Sequence, residues 1–420
     1  MDRGLQTTGD ANTLSKRRGE QEWTVAIDLK LTLDDKLGAK QKSDALQKLQ
    51  AESHGKPVSL VVQVSDKQKT DGAVSRYLIK DGQLTPLSQP HTKDPSGLIG
   101  ELVRYAGSSQ PSKRLGLVVF SHGFGVHGLG TNLGPVSLDS LAQDMHSALS
   151  KLHRQKVDLL AFDGCSMAQA DTLAKVSPIA KHVVASAEFM PCASTDTCGL
   201  NEPSWMSKLL QHPHMSAGQL ADSAVETERR EFDRVGGGEA VTTLAHFDLQ
   251  HYPKFAHALD RFANELSSSL KVPGNKQAML KLVQTTPEYE RFYFLDLPYP
   301  APKDLDSFAT QIANAIKDGS IADRSGKLAM SAHALLQAEK AITPLYFGGH
   351  QNTAQDQFGV PKSLHVRARV PYDRLGGLSI SLPDDDQLAD AKKEKETPQQ
   401  LIAKETTIPS WKHFLDRLHK

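Results

Sequence analysis

The sequence predicts an α/β fold in which a largely parallel sheet lies between layers of helices. Two observations carry this. Short apolar, β-branched runs recur along the first half of the chain, and they are continuous rather than alternating, as in strands buried on both faces. Between them lie segments with apolar residues at three- and four-residue steps, the period of an amphipathic helix. Strands and helices in alternation read as successive βα units.

The first run, Trp23 to Leu29, is a buried-strand candidate, and Val58 to Val64 is a second. The lysine- and leucine-bearing stretch between them, 34–53, reads as helix. Tyr77-Leu78-Ile79 followed by the turn signal Asp81-Gly82 reads as a hairpin over 76–88. A helix is expected near 96–106. Leu115 to Phe120 is a third buried strand, ending in Ser121-His122-Gly123 and running into a glycine-rich loop over 123–134. Leu138, Leu141, Met145, Leu149 and Leu152 mark a helix that Ser137 caps. Val157 to Phe162 is a fourth strand, ending in Asp163-Gly164-Cys165, with a helix bearing Met167, Ala170, Leu173 and Ala174 directly after it. His182 to Ala187 is a fifth.

From about 203 to 342 the pattern turns helical, with Tyr252, Phe255, Leu259, Phe262, Leu266 and Leu270 along one face. Residues 229–241, which hold Gly236-Gly237-Gly238, read as an exposed loop. Strands return at 364–370 and 378–382, and the charged stretch 384–406 reads as a linker. Trp411, Phe414, Leu415 and Leu418 form a last helical face that docks on the body. The expected organisation is a disordered leader (1–21), an α/β core (22–202), a mainly helical region (203–345), returning strands of the core (346–383), and a charged linker with a terminal helix (384–420).

Composition narrows the function classes. The chain has 420 residues, 39% hydrophobic and 23% charged, as in a folded globular protein. Lys+Arg and Asp+Glu are both 49, so no global field draws in nucleic acid. No run of about 18 apolar residues spans a membrane. Residues 1–21 are polar and lack the apolar stretch of a secretory signal, so the chain reads as cytoplasmic as written, with a secreted mature form as the other reading. There are three cysteines, Cys165, Cys192 and Cys198, too few for a disulfide scaffold. Cys192 and Cys198 are close enough to pair in an oxidising compartment, which leaves Cys165 as a free thiol.

In an open α/β sheet, ligands bind beyond the carboxyl ends of the strands. Two neighbouring βα units place His122-Gly123 and Asp163-Gly164-Cys165 there. A cysteine at a strand end with a helix directly after it sits near a positive dipole end, which favours the nucleophilic thiolate. His122 has the chemistry to protonate a leaving amine and then activate water. Gly123, lacking a side chain, leaves its backbone N–H open to a developing oxyanion, together with the N–H of Cys165. A histidine after a strand is more often structural, and a buried cysteine usually packs as a small hydrophobe. The pairing of the two, each beside a glycine on consecutive strand ends, favours catalysis. His127 ranks second, since it lies in a loop with no strand to hold it.

These residues resemble a known family. An apolar strand ending in His-Gly (Val118 to Gly123), then one ending in Asp-x-Cys (Leu159 to Ala168), resembles the caspase-like cysteine peptidases, and the clostripain family in particular. Trp23-Thr24-Val25, Val184 to Glu188 and Gly376 to Pro383 are similar to its first strand, the strand after the cysteine and a late strand. The resemblance spans 22–383. Phe124 stands where the family often has a small residue, and the segment after Glu188, with Cys192 and Cys198, departs from the pattern.

The resemblance implies a caspase-like fold and a Cys165–His122 dyad that forms a thioester acyl-enzyme and cuts after Arg or Lys. It places Asp163 in the primary specificity pocket, where a carboxylate pairs with a guanidinium or ammonium; the alternative is that Asp163 caps a turn. Glu188 either contributes to that pocket or is a loop residue. Self-cleavage at a basic cluster is also implied, at Lys151/Arg154/Lys156 or at Arg229/Arg230/Arg234, the second preferred as a loop tip. Some relatives use calcium, but the acidic residues show no EF-hand spacing, so no cofactor is expected to be required. The partner is a protein or peptide with an exposed Arg or Lys. The competing reading is a catalytically silent binding or scaffold module. An esterase-type fold lacks its G-x-S-x-G elbow here, and the triglycine lacks the Gly-Lys-[Ser/Thr] of a phosphate loop.

Overall fold

A computed structural model of the protein describes residues 21–31, 44, 46–66, 74–131, 134–188, 190, 192–194, 197–198, 202–234, 242–289, 301–349, 373 and 375–420. The expected leader up to residue 20, the strand expected at 364–370 and the glycines at 236–238 lie outside the described residues.

The first half follows the expected order. Strands β1 (Gln21–Leu31) and β2 (Val58–Asp66) flank a helical stretch at 46–52. Strands β3 (Val74–Lys80) and β4 (Gln83–Pro86) form the hairpin, with Asp81 and Gly82 both at positive φ as a tight turn of this hand requires. Helix α1 (Pro95–Ser109) leads to β5 (Ser112–Phe120). The glycine-rich segment is more than a loop: β6 (His122–Gly123), β7 (Leu129–Thr131) and β8 (Gly134–Val136) form a three-stranded sheet. Such short strands with few apolar residues leave no periodicity to read. Helix α2 (Leu138–Lys151) starts at Ser137, whose side chain accepts from the Ser140 N–H. After it come β9 (Val157–Asp163), α3 (Ala170–Val176) and β10 (Ala180–Ala185).

The second half holds more strand than the sequence suggests. A ribbon of β11 (Cys192–Ser194) and β12 (Thr197–Cys198) pairs Cys192 opposite Cys198 along the backbone; bonding between their sulfurs lies outside the described side chains. Helices α4 (Glu202–Gln211) and α5 (Ala217–Arg234) follow, so Arg229 and Arg230 lie in a helix rather than in the expected loop. Strand β13 (Thr242–Asp248) interrupts the helical region; its seven residues sit between long helical patterns that mask it. Then come α6 (Tyr252–Ser269), α7 (Asn275–Thr285), β14 (Lys303–Asp304), α8 (Leu305–Lys317), α9 (Lys327–Ile342) and β15 (Leu345–Gly349). The strand expected at 378–382 shrinks to β16 (Ser379–Ile380), paired with β14. The supposed linker at 384–406 forms α10 (Asp385–Lys393) and α11 (Pro398–Glu405), each opened by a capping box, Asp384 with Gln387 and Thr397 with Gln400. Charge was a poor guide there because short capped helices on the surface need few apolar residues. Helix α12 (Pro409–Leu418) docks as expected, with Trp411, Phe414, Leu415 and Leu418 buried.

Among the described residues the main sheet has nine strands in the order β15-β13-β10-β9-β5-β1-β2-β3-β4. The five central strands, β10 to β2, are parallel, and antiparallel pairs extend both edges. Successive strand residues point to opposite faces. Leu117, Val119, Leu160 and Phe162 enter one apolar core with α1, α2, α6, α8, α9 and α12. Val118, Leu159, Ala161 and Val184 enter a second with α4 and α5. Cover on both faces explains the continuous apolar runs of β5 and β9. No helix among the described residues is long and apolar enough to cross a membrane.

Candidate active site

Strands β5 and β9 are parallel neighbours, and Phe120 pairs with Asp163 at their carboxyl ends. The Ser121 N–H donates to the Asp163 carbonyl at 3.0 Å, at the end of this ladder. His122 and Cys165 each stand two residues beyond that pair, so they leave neighbouring strands at equivalent positions. Adjacent strands run about 4.8 Å apart, so the backbone of both residues leaves the same edge of the sheet.

Glycine lets the two segments pass closely. A Cβ on Gly123 would lie 2.1 Å from the Cys165 carbonyl oxygen and 2.8 Å from Met167 Cγ. One on Gly164 would lie 2.8 Å from the Ser121 carbonyl oxygen. Just after the cysteine, Ser166 adopts φ +57°, a region that non-glycine residues seldom enter and that concentrates at functional sites. The Ser166 N–H donates to the Glu188 carbonyl at 2.9 Å, which holds this turn.

Cys165 is half-buried, and the Met190 N–H donates to its sulfur at 3.3 Å. Burial pushes the thiol up to about 11, and the Glu188 charge adds to this; the Met190 N–H and the residue's own N–H oppose it. Burial and the Glu188 charge thus work against the expected thiolate. Helix α3 begins only at Ala170, and a dipole acts over about one turn. Met190 was invisible in the sequence, because a backbone donor has no side-chain signature. His122 is exposed at the start of β6, its ring 6.3 Å from that of Phe124. The competitor His127 is engaged elsewhere: its Nε2 lies 3.0 Å from Glu405 Oε1.

Asp163 and Glu188 are both buried. The segment bearing Glu188 is fixed by Thr243 of β13, whose Oγ1 accepts from the N–H groups of Ala187 and Glu188 at 3.0 and 3.1 Å. Behind it the environment is acidic. Burial first, then Asp304 and further charges including Glu188, push the phenols of Tyr289 and Tyr346 well above their ordinary range. The Tyr289 hydroxyl donates to Asp304 Oδ2 at 2.7 Å. His122, Gly123, Asp163, Cys165 and Glu188 thus gather at the carboxyl ends of β5, β9 and β10. Tyr289 and Tyr346, neither of them anticipated, feel the Glu188 charge from distant segments. Among the described residues, no three His, Cys, Asp or Glu side chains are grouped to hold a metal ion.

Residues 102–335 match the model of the clostripain family of peptidases. Among solved structures, a secreted C11 cysteine protease from Bacteroides thetaiotaomicron superposes with a TM-score of 0.61 at 13% identity, over 90% of this chain and 97% of that one. An inactive zymogen of a C11 protease from Parabacteroides distasonis superposes with a TM-score of 0.60 at 14% identity, over 92% of this chain and 99% of that one. At such identities the likeness carries the fold. No curated protein sequence matches the chain.

Proposed function

The chain belongs to the clostripain family and is a cysteine-type peptidase; we propose that it cuts peptide bonds after Arg or Lys through a dyad of Cys165 and His122. The observation that carries the dyad is the register: both residues stand two positions beyond the paired Phe120 and Asp163.

In the proposed cycle His122 takes the Sγ proton as sulfur attacks the scissile carbonyl, forming the C–S bond. The oxyanion points at the backbone N–H groups of Gly123 and Cys165. The tetrahedral intermediate collapses, the C–N bond breaks, and His122 returns its proton to the leaving amine. That leaves a thioester. Water, deprotonated by His122, attacks the thioester, and the thiolate leaves and is reprotonated. Burial holds the resting thiol protonated, which favours coupling the attack to proton transfer. Every step runs on the chain's own groups, so no cofactor is required; calcium enters as an assay condition.

For specificity, Asp163 is buried two residues before the nucleophile and Glu188 lies on the adjoining segment. Two carboxylates out of water favour a guanidinium or ammonium side chain. The substrate is a peptide or protein segment with an accessible basic residue. The secreted Bacteroides relative makes an extracellular site of action the working choice for this chain.

Fluorogenic peptides differing only in the residue before the scissile bond test the reading, with Cys165→Ala beside wild type. Cleavage after Arg and Lys, absent in the variant, is expected. No cleavage of any peptide, with or without calcium and after limited proteolysis, would leave the silent binding module as the better account.

A further inference from the structure

The C-terminal segment lies beyond the residues that match the family model, and the sequence offered it only as a linker and a docking helix. Its contacts are more pointed than that. At the end of α11, Glu405 is buried and its Oε1 meets His127 Nε2 at 3.0 Å. His127 closes the turn that follows His122 and Gly123. In that turn the His127 N–H donates to the Phe124 carbonyl at 3.1 Å and the Phe124 N–H to the Gly128 carbonyl at 2.9 Å. The next two residues reach the other catalytic segment. Thr406 Oγ1 donates to Asp171 at 3.1 Å, and the backbone N–H and Oγ1 of Thr407 donate to Asp171 Oδ1 at 2.5 and 2.9 Å. Asp171 is buried in the first turn of α3, the helix that follows Cys165. Between the two segments, Gln169 Oε1 accepts from the Val126 N–H at 3.0 Å.

We propose that Glu405, Thr406 and Thr407 form a clamp that sets the turn after His122 against the segment after Cys165, with Glu405 as a positioning residue for the peptidase reaction. This rests on the dyad reading above. Three consecutive residues on a docked segment bond to both catalytic arms, one through the contact of Glu405 with His127 and two through the buried carboxyl of Asp171. Nearby Trp411 anchors the same segment, donating Nε1–H to the Ser381 carbonyl at 2.7 Å and packing edge-on against Phe308. The clamp therefore holds a fixed position against the core. A loosened clamp moves Gly123 relative to Cys165, which harms the transition state more than substrate binding.

The test uses the full chain with Glu405→Gln, which keeps the shape and removes the charge, and His127→Gln, which leaves the C-terminal segment untouched. Active sites are titrated with a peptide alkylator, and kcat per titrated site is measured on the peptide that wild type cuts best. Both variants should lose about tenfold or more in kcat with KM within twofold. Burial raises Glu405 above the ordinary carboxyl range, so protonation of Glu405 should add to the acid-side loss of kcat that His122 causes, and Glu405→Gln should change the shape of that limb. Amide exchange of residues 124–128 in the Cys165→Ala background should quicken about tenfold when Glu405→Gln is added. If kcat per site, the acid limb and amide exchange all match wild type, in whichever variant folds, the clamp is wrong. A purely structural role would lower only the melting temperature and the titratable fraction, and that result also overturns it. If wild type cuts no peptide, the dyad reading fails, while amide exchange still decides whether the clamp holds the turn.

Discussion

Replacing Gly123 by alanine would put a methyl carbon 2.1 Å from the carbonyl oxygen of Cys165 and within 2.9 Å of Met167 Sδ. Real Cβ atoms essentially never approach a neighbour closer than 3.0 Å. The segments carrying the two proposed catalytic residues must therefore separate by about 0.9 Å or twist by an equivalent amount. The nearest obstacle is backbone, which cannot rotate away as a long side chain would. A misplacement of about 1 Å costs on the order of a hundredfold in rate, or about 2.7 kcal/mol of transition-state stabilisation. The Gly123 N–H, one of the two proposed oxyanion donors, moves with it, and loss of such a donor costs about 2.7–4 kcal/mol. The two effects share one displacement and do not add. Gly123→Ala should therefore lower kcat per titrated active site by about two to three orders of magnitude. Met167, which the methyl presses on, belongs to an apolar core, so stability should fall as well. Peptide hydrolysis normalised to active-site titration, with thermal unfolding beside it, reads both. A variant within threefold of wild type in kcat would show that the close approach of the two segments is irrelevant to the chemistry.

Other substitutions separate the remaining parts. Asp163→Ala should lower kcat/KM for Arg and Lys peptides by about a hundredfold or more while leaving neutral peptides nearly unchanged; equal loss on all peptides would make Asp163 a structural residue. With the thiol near 11, iodoacetamide alkylation of Cys165 should rise about tenfold per pH unit between pH 8 and 10. Glu188→Gln should speed it at pH 8, because the Glu188 charge helps hold the proton on sulfur; a rate flat from pH 5 to 8 would instead indicate a preformed thiolate–imidazolium pair. Glu339 is buried, with neither carboxyl oxygen hydrogen-bonded among the described residues, and burial, then Asp304 and Asp306, push it well above the usual carboxyl range. The native state thus favours its protonated form, so its contribution to stability is intact below about pH 4.5 and is lost as pH rises through the native value. Glu339→Gln should therefore stabilise the protein more at pH 8 than at pH 5 in denaturant titrations, and equal shifts at both would refute this. Trp411→Ala should cost about 3–5 kcal/mol by the same measure, since a fully buried ring and its bond to Ser381 are lost together.

Why some of this was legible in the sequence follows from where each part gets its stability. Strands β5 and β9 are buried on both faces, so their residues had to be apolar throughout, and runs such as Leu117-Val118-Val119 stand out in any reading. The reactive residues were legible for a related reason: His122 and Cys165 break those runs abruptly, each beside a glycine. Strand β13 hid because its seven residues include Thr242, Thr243 and His246. Thr243 is there to bond the Glu188 segment, a role that periodicity cannot register. The helices at 385–405 hid because their few apolar residues, Leu388, Ala391, Leu401 and Ile402, are scattered among charges, and a charged stretch with so thin an apolar stripe looks like a linker.

The state of the thiol was less legible for a sharper reason. A helix after the cysteine was foreseen correctly, but its first residue was not, and a dipole effect that fades within a turn depends on that boundary. The four residues 166–169 between cysteine and helix turn out to carry their own functions. Ser166 takes the strained turn, Ala168 accepts from the Ser379 N–H at 2.9 Å, and Gln169 holds the turn after His122. Around the sulfur, burial and the Glu188 charge oppose ionisation of the thiol, while the Met190 N–H favours it. On the proposed mechanism His122 takes the proton during attack, and a basic substrate side chain offsets the Glu188 charge that opposes ionisation. Occupation of the specificity pocket would therefore raise reactivity at the nucleophile as well as affinity. On that argument a small guanidinium compound bound at Asp163 and Glu188 should speed, rather than block, alkylation of Cys165 by an uncharged reagent.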